Sequence, residues 1–259
     1  MVDAISLALL LGAMASLCTY ALRKRRIADF ARRATQGSGS QRDAAFALGR
    51  VIFGAVKRRG RDPFFLSPLL ATLGASPCTI LERGGCCSGI CRLFITSLDT
   101  IGIGAAQITV FRRTAPAAAH CLAQVSADSA NILIDVDYGV WLHRPDGEPI
   151  DLIGLRSGLR PVIEPFVLDR QASYADSSRT RSAGYPDREY YRFDYELTRT
   201  ANWDETRMRR ALHPLLQRLT AGHIDRLLLP PILEWPEILL AAVLCSAALC
   251  LLVVRALTS

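Results

Sequence analysis

The chain has little aromatic content, and no aromatic side chains alternate with its basic residues. Phe, Trp and Tyr together make up 7% of the sequence. The net charge of +7 would suit nucleic acid, but binding to a single strand needs aromatic platforms among the basic residues. Many of the basic residues instead cluster between Arg23 and Arg61. We therefore expect no nucleic-acid partner, and we expect Arg23-Lys24-Arg25-Arg26 to meet anionic lipid headgroups.

A disulfide framework is also missing. Three of the eight cysteines fall in apolar segments at the chain ends, and the remaining ones are Cys78, Cys86, Cys87, Cys91 and Cys121. An odd, closely spaced set suits a reducing compartment. The paired C-x-x-C spacing of structural zinc modules, a nucleotide-binding loop and a calcium loop are absent as well. We expect no metal ion and no cofactor.

The two ends of the chain are apolar. Residues 4–22 form an almost uncharged run about as long as a bilayer's hydrocarbon core is thick, and residues 238–254 form a slightly shorter one. Residues 1–3 carry no lysine or arginine, whereas basic residues follow the first run directly, an order that disfavours a cleaved signal peptide. The bulky Leu17 before Cys18 argues against a lipoprotein cleavage site. We predict two membrane helices that flank one domain.

The basic residues after Leu22 indicate the orientation of the chain. The positive-inside rule places the following residues in the cytoplasm and the N-terminus outside, although the rule is weaker for a long segment than for a short loop. Only Arg255 follows the second run, so its direction is not set by charge. Trp235, just before that run, is expected to be an interfacial anchor. We expect a two-pass membrane protein with a cytoplasmic domain.

Between the apolar ends, the spacing of apolar residues changes from helical to strand-like. Helices are predicted over residues 41–59, 87–101 and 204–219. Short apolar stretches predict strands at residues 106–111, 121–125, 132–136, 140–143 and 190–197. Residues 63–77 and 170–188 are expected to be loop-rich. One helix followed by successive strands predicts an α+β domain with an antiparallel sheet.

A cysteine pair after two glycines opens the helix predicted at residue 87. The stretch Gly84-Gly85-Cys86-Cys87 places a thiol at a helix N-terminus, where the helix dipole lowers a thiol pKa and favours the thiolate. A nucleophilic thiol also needs a base and a carboxylate, and His120 and Asp135 follow on the next predicted strands. If the turn between those strands falls at Ala127-Asp128, His120 and Asp135 are directly opposed and share a face.

The segment that follows the glycines resembles the nucleophile helix of the transglutaminase-like, papain-fold superfamily. Gly85-Cys86-Cys87-Ser88-Gly89-Ile90-Cys91-Arg92-Leu93-Phe94 is similar to its start, and Ile101-Gly102-Ile103-Gly104-Ala105 to its Leu-Gly-Ile-Pro-Ala-Arg-like turn. The His120 segment resembles the family's Gly-His-x-x-x-Glu-Val strand, and residues 134–139 its Val-Asp-Pro-x-Tyr-Gly strand. The likeness covers residues 41–158 and extends to bacterial transglutaminase-like proteins, some of them linked to polysaccharide or peptide maturation.

The resemblance implies a papain-like core, in which the nucleophile helix packs on an antiparallel sheet. It implies that Cys87 attacks an amide or ester carbonyl, that His120 is the general base and acid, and that Asp135 orients His120. The backbone N–H of Cys87 would help to stabilise the oxyanion. Three positions depart from the family pattern, and none is a triad member: Val136 for a proline, Gln124 for a frequent glutamate, and Cys86 for an aromatic residue.

Neighbouring residues leave alternatives open. Cys86 is the alternative nucleophile, but the spacing to Gly102 favours Cys87. Cys91 lies one helical turn after Cys87 and is expected to be a buried apolar side chain. Asp137 shares a strand face with Asp135 and is expected to be a supporting acceptor. The cysteines together with His120 could alternatively form a zinc site, for which the spacing is atypical.

These features divide the chain into five segments. They are a first membrane helix (residues 1–22), a basic juxtamembrane linker (23–40), a transglutaminase-like core (41–158), a C-terminal extension (159–231), and a second membrane helix with its tail (232–259). They predict a membrane-anchored cysteine hydrolase or acyltransferase that acts on a peptide or protein amide through a thioester. Hydrolysis and transfer differ only in whether water or an amine attacks the thioester. The alternative is a non-catalytic membrane scaffold that keeps the fold to hold partner proteins.

Overall fold

The computed structural model describes residues 2–60, 62, 74–113, 115–166, 193–203 and 205–258. The helices are α1 Val2–Ala34, α2 Gln41–Ala55, α3 Pro77–Arg83, α4 Cys87–Thr100, α5 Leu152–Arg156, α6 Arg207–Leu219 and α7 Pro236–Thr258. The strands are β1 Gly104–Arg112, β2 Ala115–Ala127, β3 Ala130–Asp135, β4 Val140–His143, β5 Val162–Pro165 and β6 Phe193–Arg199. The loop predicted over residues 170–188, and most of the one predicted over residues 63–77, lie outside the described residues.

The strands form one antiparallel sheet in the order β5-β4-β3-β2-β1-β6, which confirms the predicted α+β class. The sheet is curled. Its two edge strands come close enough for Ile163 of β5 and Phe193 of β6 to line the same cleft. Helix α4 packs on one face against apolar side chains of β2 and β3, such as Cys121 and Ile134. The other face buries a second cluster that includes Leu122. Successive residues of β2 therefore belong to different layers of the domain.

Two helices are long and apolar enough to cross a membrane, α1 over Ala4–Ala34 and α7 over Pro236–Thr258, among the residues that were described. Helix α1 does not end with its apolar part but continues through the basic segment that was predicted to be a linker. There Ile27 and Ala31 are fully buried and belong to the core on the α4 face. The first apolar helix and the domain are thus joined by one continuous helix.

Helices α1 and α7 pack side by side in opposite directions. The Ser16 hydroxyl donates a hydrogen bond of 2.7 Å to the backbone oxygen of Glu237, and Gly12 lies against Leu244 further along the pair. Trp235 is 1% exposed and packs edge-on against Tyr20, with ring centroids 5.2 Å apart. Its expected role as an interfacial anchor stays a prediction. The first turns of α1 and the last turns of α7 therefore lie at the end of this helical pair that is remote from the domain.

The β2–β3 hairpin turns at Asp128 and Ser129, whose φ values are 50° and 67°. Positive φ at both central residues is the geometry of a type I′ hairpin turn. The Asp128 carboxylate accepts hydrogen bonds of 3.1 Å from the backbone N–H groups of Gln41 and Arg42, at the start of α2. Capping of α2 thus stabilises this turn, which lies one residue later than Ala127-Asp128.

The position of the turn changes the register that the sequence predicted. Ala127 pairs with Ala130, and Ala123 pairs with Ile134. The expectation that His120 and Asp135 are directly opposed is therefore wrong, because Asp135 lies two residues away along the strand direction. A slip of two residues keeps every side chain on its face of the sheet, whereas a slip of one residue would reverse it. The prediction that the two residues share a face holds for that reason.

Candidate active site

The cysteine pair enters α4 through a backbone arrangement that requires glycine. Gly84 has φ 81° and ψ 175°, and a Cβ atom added there would lie 2.0 Å from the backbone oxygen of Lys57. Gly85 follows and donates its N–H to that same oxygen over 3.1 Å. Cys86 is the N-cap of α4 and Cys87 is its first residue. The two glycines thus allow the chain after α2 to lie close to the start of α4.

His120 and Asp135 form a buried pair on the other side of the site. The Nε2 atom of His120 lies 2.6 Å from Oδ2 of Asp135, and the side chains are 3% and 0% exposed. The second oxygen, Oδ1, accepts the backbone N–H of Tyr138 over 3.0 Å. Because both carboxylate oxygens have partners, the imidazole is held in one orientation, with Nε2 directed to Asp135 and Nδ1 left for another contact.

The thiol of Cys87 lies on this side of the site. It is close enough to the His120 side chain and to the Cys121 thiol for each of them to shift its pKa. The β3 strand pairs with β2 only from Ala123 onward, so the backbone of β2 at His120 and Cys121 is not paired with β3. The structure therefore brings Cys87, His120 and Asp135 together, and their roles in catalysis stay a prediction.

The electrostatics of this contact differ from those expected at a helix N-terminus. The hydrogen bond with Cys121 raises the pKa of the Cys87 thiol and burial adds to the rise, whereas Cys86 and His120 lower it without cancelling it. Burial lowers the pKa of His120, but the Asp135 carboxylate and the neighbouring Cys87 together raise that pKa well above its usual value. At neutral pH the pair therefore holds a neutral thiol and a protonated imidazole.

The neighbouring cysteines are less suited to be nucleophiles. The hydrogen bond from Cys86 to Cys87, together with burial and the Asp62 charge, raises the pKa of Cys86 far above the usual range. Cys91 is buried and donates its S–H to the backbone oxygen of Leu122 over 3.1 Å. Of these three thiols, only that of Cys87 contacts the imidazole of a His–Asp pair.

Several residues that line the site were not identified from the sequence. The ring of Tyr138 stacks on His120 with centroids 4.4 Å apart, and Phe193 is parallel to His120 at 6.1 Å. Asp137, expected to support His120, instead lies 3.1 Å from the guanidinium of Arg58. The position of Tyr138 in the Tyr-Gly part of the resembling strand was a signal for it. Arg58 had none: the helix predicted over residues 41–59 ends at Ala55, so Arg58 lies after the helix and not within it.

A buried charge cluster lies behind the start of α4. Oδ1 of Asp62 accepts the backbone N–H of Cys86 over 2.7 Å, and its Oδ2 lies 3.5 Å from the guanidinium of Arg92. Arg92 also pairs with Glu205 and, at 3.1 Å, with Glu234. Burial, more than the charge of Glu205, raises the pKa of Asp62 above its usual value, against the effect of Arg92. The cluster connects the N-cap of α4 to the segment that leads into α7.

No three His, Cys, Asp or Glu side chains within the described ranges are placed so that they could hold a metal ion. A cleft of about 480 Å³ lies between the two edge strands, and Phe193 is part of its lining.

In comparisons with known proteins, no protein-family model, no curated protein and no solved structure matches the chain.

Proposed function

We propose that the chain is a membrane-anchored cysteine hydrolase or acyltransferase of the transglutaminase-like, papain-fold type, acting on an amide of a peptide or protein. One observation carries the proposal. A thiol at the start of a helix lies close enough to an imidazole to raise the pKa of that imidazole, and Nε2 of the same imidazole lies 2.6 Å from a fully buried carboxylate. A nucleophile, a base and a group that orients the base are the parts that acyl transfer through a thioester needs.

The resting pair first loses one proton to solvent. Sγ of Cys87 then attacks the carbonyl carbon of the amide, and the thiol proton passes to Nδ1 of the neutral His120. The C–N bond then breaks, the proton passes from His120 to the leaving amine, and a thioester remains on Cys87. Water or a second amine attacks the thioester and gives up a proton to His120. The released thiolate takes that proton back, and the acid or the new amide leaves.

The first turn of α4 suits the charge that develops on the carbonyl oxygen. Cys87 is the first residue of the helix, so its backbone N–H has no partner within the helix and points toward the N-terminus. The partial positive charge of the helix end acts in the same direction. The Cys87 N–H is therefore the oxyanion donor that we assign.

The raised pKa values of both Cys87 and His120 set the working pH. A resting pair that carries both protons must lose one before the thiol can attack, and it loses that proton more readily as the pH rises. We expect the reactivity of Cys87 to increase from neutral to alkaline pH. A preformed thiolate–imidazolium pair would already be reactive in mild acid.

The raised pKa of the Cys87 thiol favours a second candidate function. A thiol that contact with Cys121 keeps neutral suits a membrane scaffold that retains the fold without catalysis. A scaffold does not need site-selective reactivity, so the two functions differ in a measurable property.

The test is labelling of the detergent-solubilised full chain with iodoacetamide and with a peptidyl fluoromethylketone, followed by peptide mapping. The enzyme predicts labelling that Cys87→Ala abolishes and that the matched control, Cys86→Ala, retains. It also predicts that His120→Ala slows the labelling of Cys87 at pH 8. Equal labelling of Cys86 and Cys87, or none at Cys87 up to pH 9, would leave the scaffold as the function.

We further propose that α1 and α7 cross the membrane as a helical hairpin, with the domain in the cytoplasm and anionic lipid headgroups at Arg23-Lys24-Arg25-Arg26. The antiparallel packing of α1 on α7 and the position of the basic residues support this orientation. A reporter fused after Gly39 should show a cytoplasmic location, and reporters at either end should show the opposite side. Periplasmic activity of the Gly39 fusion would overturn the orientation.

A further inference from the structure

The two halves of the candidate site come from separate parts of the chain. The thiol lies on α4, whereas the His–Asp pair lies on β2 and β3. Arg58, which follows α2, contacts both parts. Its backbone forms a parallel bridge with Gly85, one residue before the cysteine pair. Its guanidinium lies 3.1 Å from a carboxylate oxygen of Asp137, two residues after Asp135.

The side chain of Arg58 also reaches the ring that supports the imidazole. Its guanidinium carbon lies 5.2 Å from the centroid of the Tyr138 ring, and Nη2 lies 3.5 Å from the Tyr138 hydroxyl. Tyr138 in turn stacks on His120 and donates its backbone N–H to Asp135. An arginine held both by a carboxylate and by an aromatic face has little freedom to move.

The bridge between Arg58 and Gly85 is fixed by two backbone hydrogen bonds. The N–H of Gly85 donates to the oxygen of Lys57 over 3.1 Å, and the N–H of Arg59 donates to the oxygen of Gly85 over 2.8 Å. A displacement of the Arg58 backbone would therefore displace the residue that leads into Cys86 and Cys87. The distance between thiol and imidazole depends on this connection.

We infer that Arg58 is a positioning residue, which holds the Cys87 thiol against His120 by joining the start of α4 to the turn that carries Asp137 and Tyr138. The inference rests on the proposed function, since it assigns Arg58 a role in the same site. Arg58 does not touch the reacting atoms. Its effect on Cys87 must pass through His120, and this requirement can be tested.

The charged and titratable groups around His120 determine what the test should show. They are Asp135 and Asp137 from β3 and its following turn, Cys87 from α4, Cys121 from β2, Tyr138 and Arg58. Without Arg58, the guanidinium that lies 3.1 Å from the Asp137 carboxylate is lost, so the charge of this carboxylate, which is 1% exposed and two residues from Asp135, is neutralised less. Both this charge and a looser contact keep the proton on the pair up to a higher pH.

The experiment measures the rate of alkylation of Cys87 by iodoacetamide from pH 6 to pH 10 in the full chain in detergent, with all rates taken from peptide mapping. We expect Arg58→Met to move the midpoint of the profile upward by about one pH unit. Arg58→Lys keeps a cation near Asp137 and should move it by less than half as much. Arg59→Met is the matched control, because it removes the adjacent arginine, whose side chain contacts the backbone oxygen of Arg83, and should leave the midpoint unchanged.

A double-mutant cycle with His120→Ala separates positioning from other effects. If Arg58 acts through His120, Arg58→Met causes no further shift in the His120→Ala background. An equal shift in both backgrounds, or no shift in either, would overturn the inference. If His120→Ala alone leaves the profile of the unsubstituted chain unchanged, the proposed function fails instead. Should Arg58→Met not fold, as judged by circular dichroism, the cycle is run with Arg58→Lys.

Discussion

Gly84→Ala tests whether close approach of the chain after α2 is what sets the start of α4. The new Cβ would lie 2.0 Å from the backbone oxygen of Lys57 and 2.9 Å from its carbonyl carbon, so the backbone itself must move. The residue would also keep φ 81° with ψ 175°, a region that costs a side chain about 1–3 kcal/mol. Moving Lys57 breaks the hydrogen bonds of the Gly85 bridge, worth about 1 kcal/mol each. Together these effects predict a loss of roughly 3–5 kcal/mol in the free energy of unfolding.

The assay is urea denaturation of the full chain in detergent, with Gly147→Ala as the matched control. Gly147 has φ 86° and no atom within 4 Å of its added Cβ, so that substitution carries only the conformational cost of about 1–2 kcal/mol. The difference between the two variants isolates the clash. The rate at which Cys87 is alkylated should also stop depending on His120 in Gly84→Ala, whereas in Gly147→Ala it should still depend on His120. A Gly84→Ala variant no less stable than Gly147→Ala, and with His120-dependent alkylation, would refute the reasoning.

Two further predictions concern buried charge. Because the pKa of His120 is raised in the folded chain, its stabilising contribution is complete below the unfolded value of 6.5 and is lost as the pH rises through the folded value. As the pH rises above 6.5, the urea concentration at the midpoint of unfolding should therefore decrease in the unsubstituted chain, and it should decrease less in Asp135→Asn. Parallel curves of midpoint against pH for the two proteins would contradict this. Arg92→Met removes one of the two arginines that pair with the buried carboxylates of Glu205 and Glu234, the other being Arg209, and it takes the guanidinium away from Asp62. This loss of buried positive charge should cost about 3–5 kcal/mol of unfolding free energy. Arg26→Met removes an exposed pair with Glu82 and should cost less than about 1 kcal/mol, and equal losses would contradict the reasoning.

The meeting of His120 and Asp135 could be predicted from the sequence because it depends on parity. Side chains alternate between the faces of a strand, so any turn that shifts the pairing by an even number keeps the two residues on one face. The exact turn was harder to predict. It is set by contacts between Asp128 and the first N–H groups of α2, which come from residues 86 and 87 positions earlier in the chain. Local turn propensity does not contain that information.

The raised pKa of the Cys87 thiol and the roles of Arg58 and Asp62 could not be predicted. A helix N-terminus alone lowers a thiol pKa, but contact with Cys121 reverses the sign here, and that contact arises only when α4 packs on β2. Arg58 lies within the helix predicted over residues 41–59 but after the observed end of α2 at Ala55, and Asp62 lies beyond the predicted helix. Their positions follow from long-range contacts with Asp137 and with the backbone of Cys86.

The early end of β3 is what allows the thiol to reach the imidazole. In the observed register, continued pairing would place Asp137 directly beside His120, and the strand would then cover the flank of β2 that Cys87 contacts. The chain instead turns after Asp135, where the N–H of Tyr138 binds the carboxylate, and the ring of Tyr138 stacks on the imidazole. The same turn presents Asp137 to Arg58. One break in the sheet thus opens the approach to His120, orients it and provides the anchor for the segment that carries the cysteines.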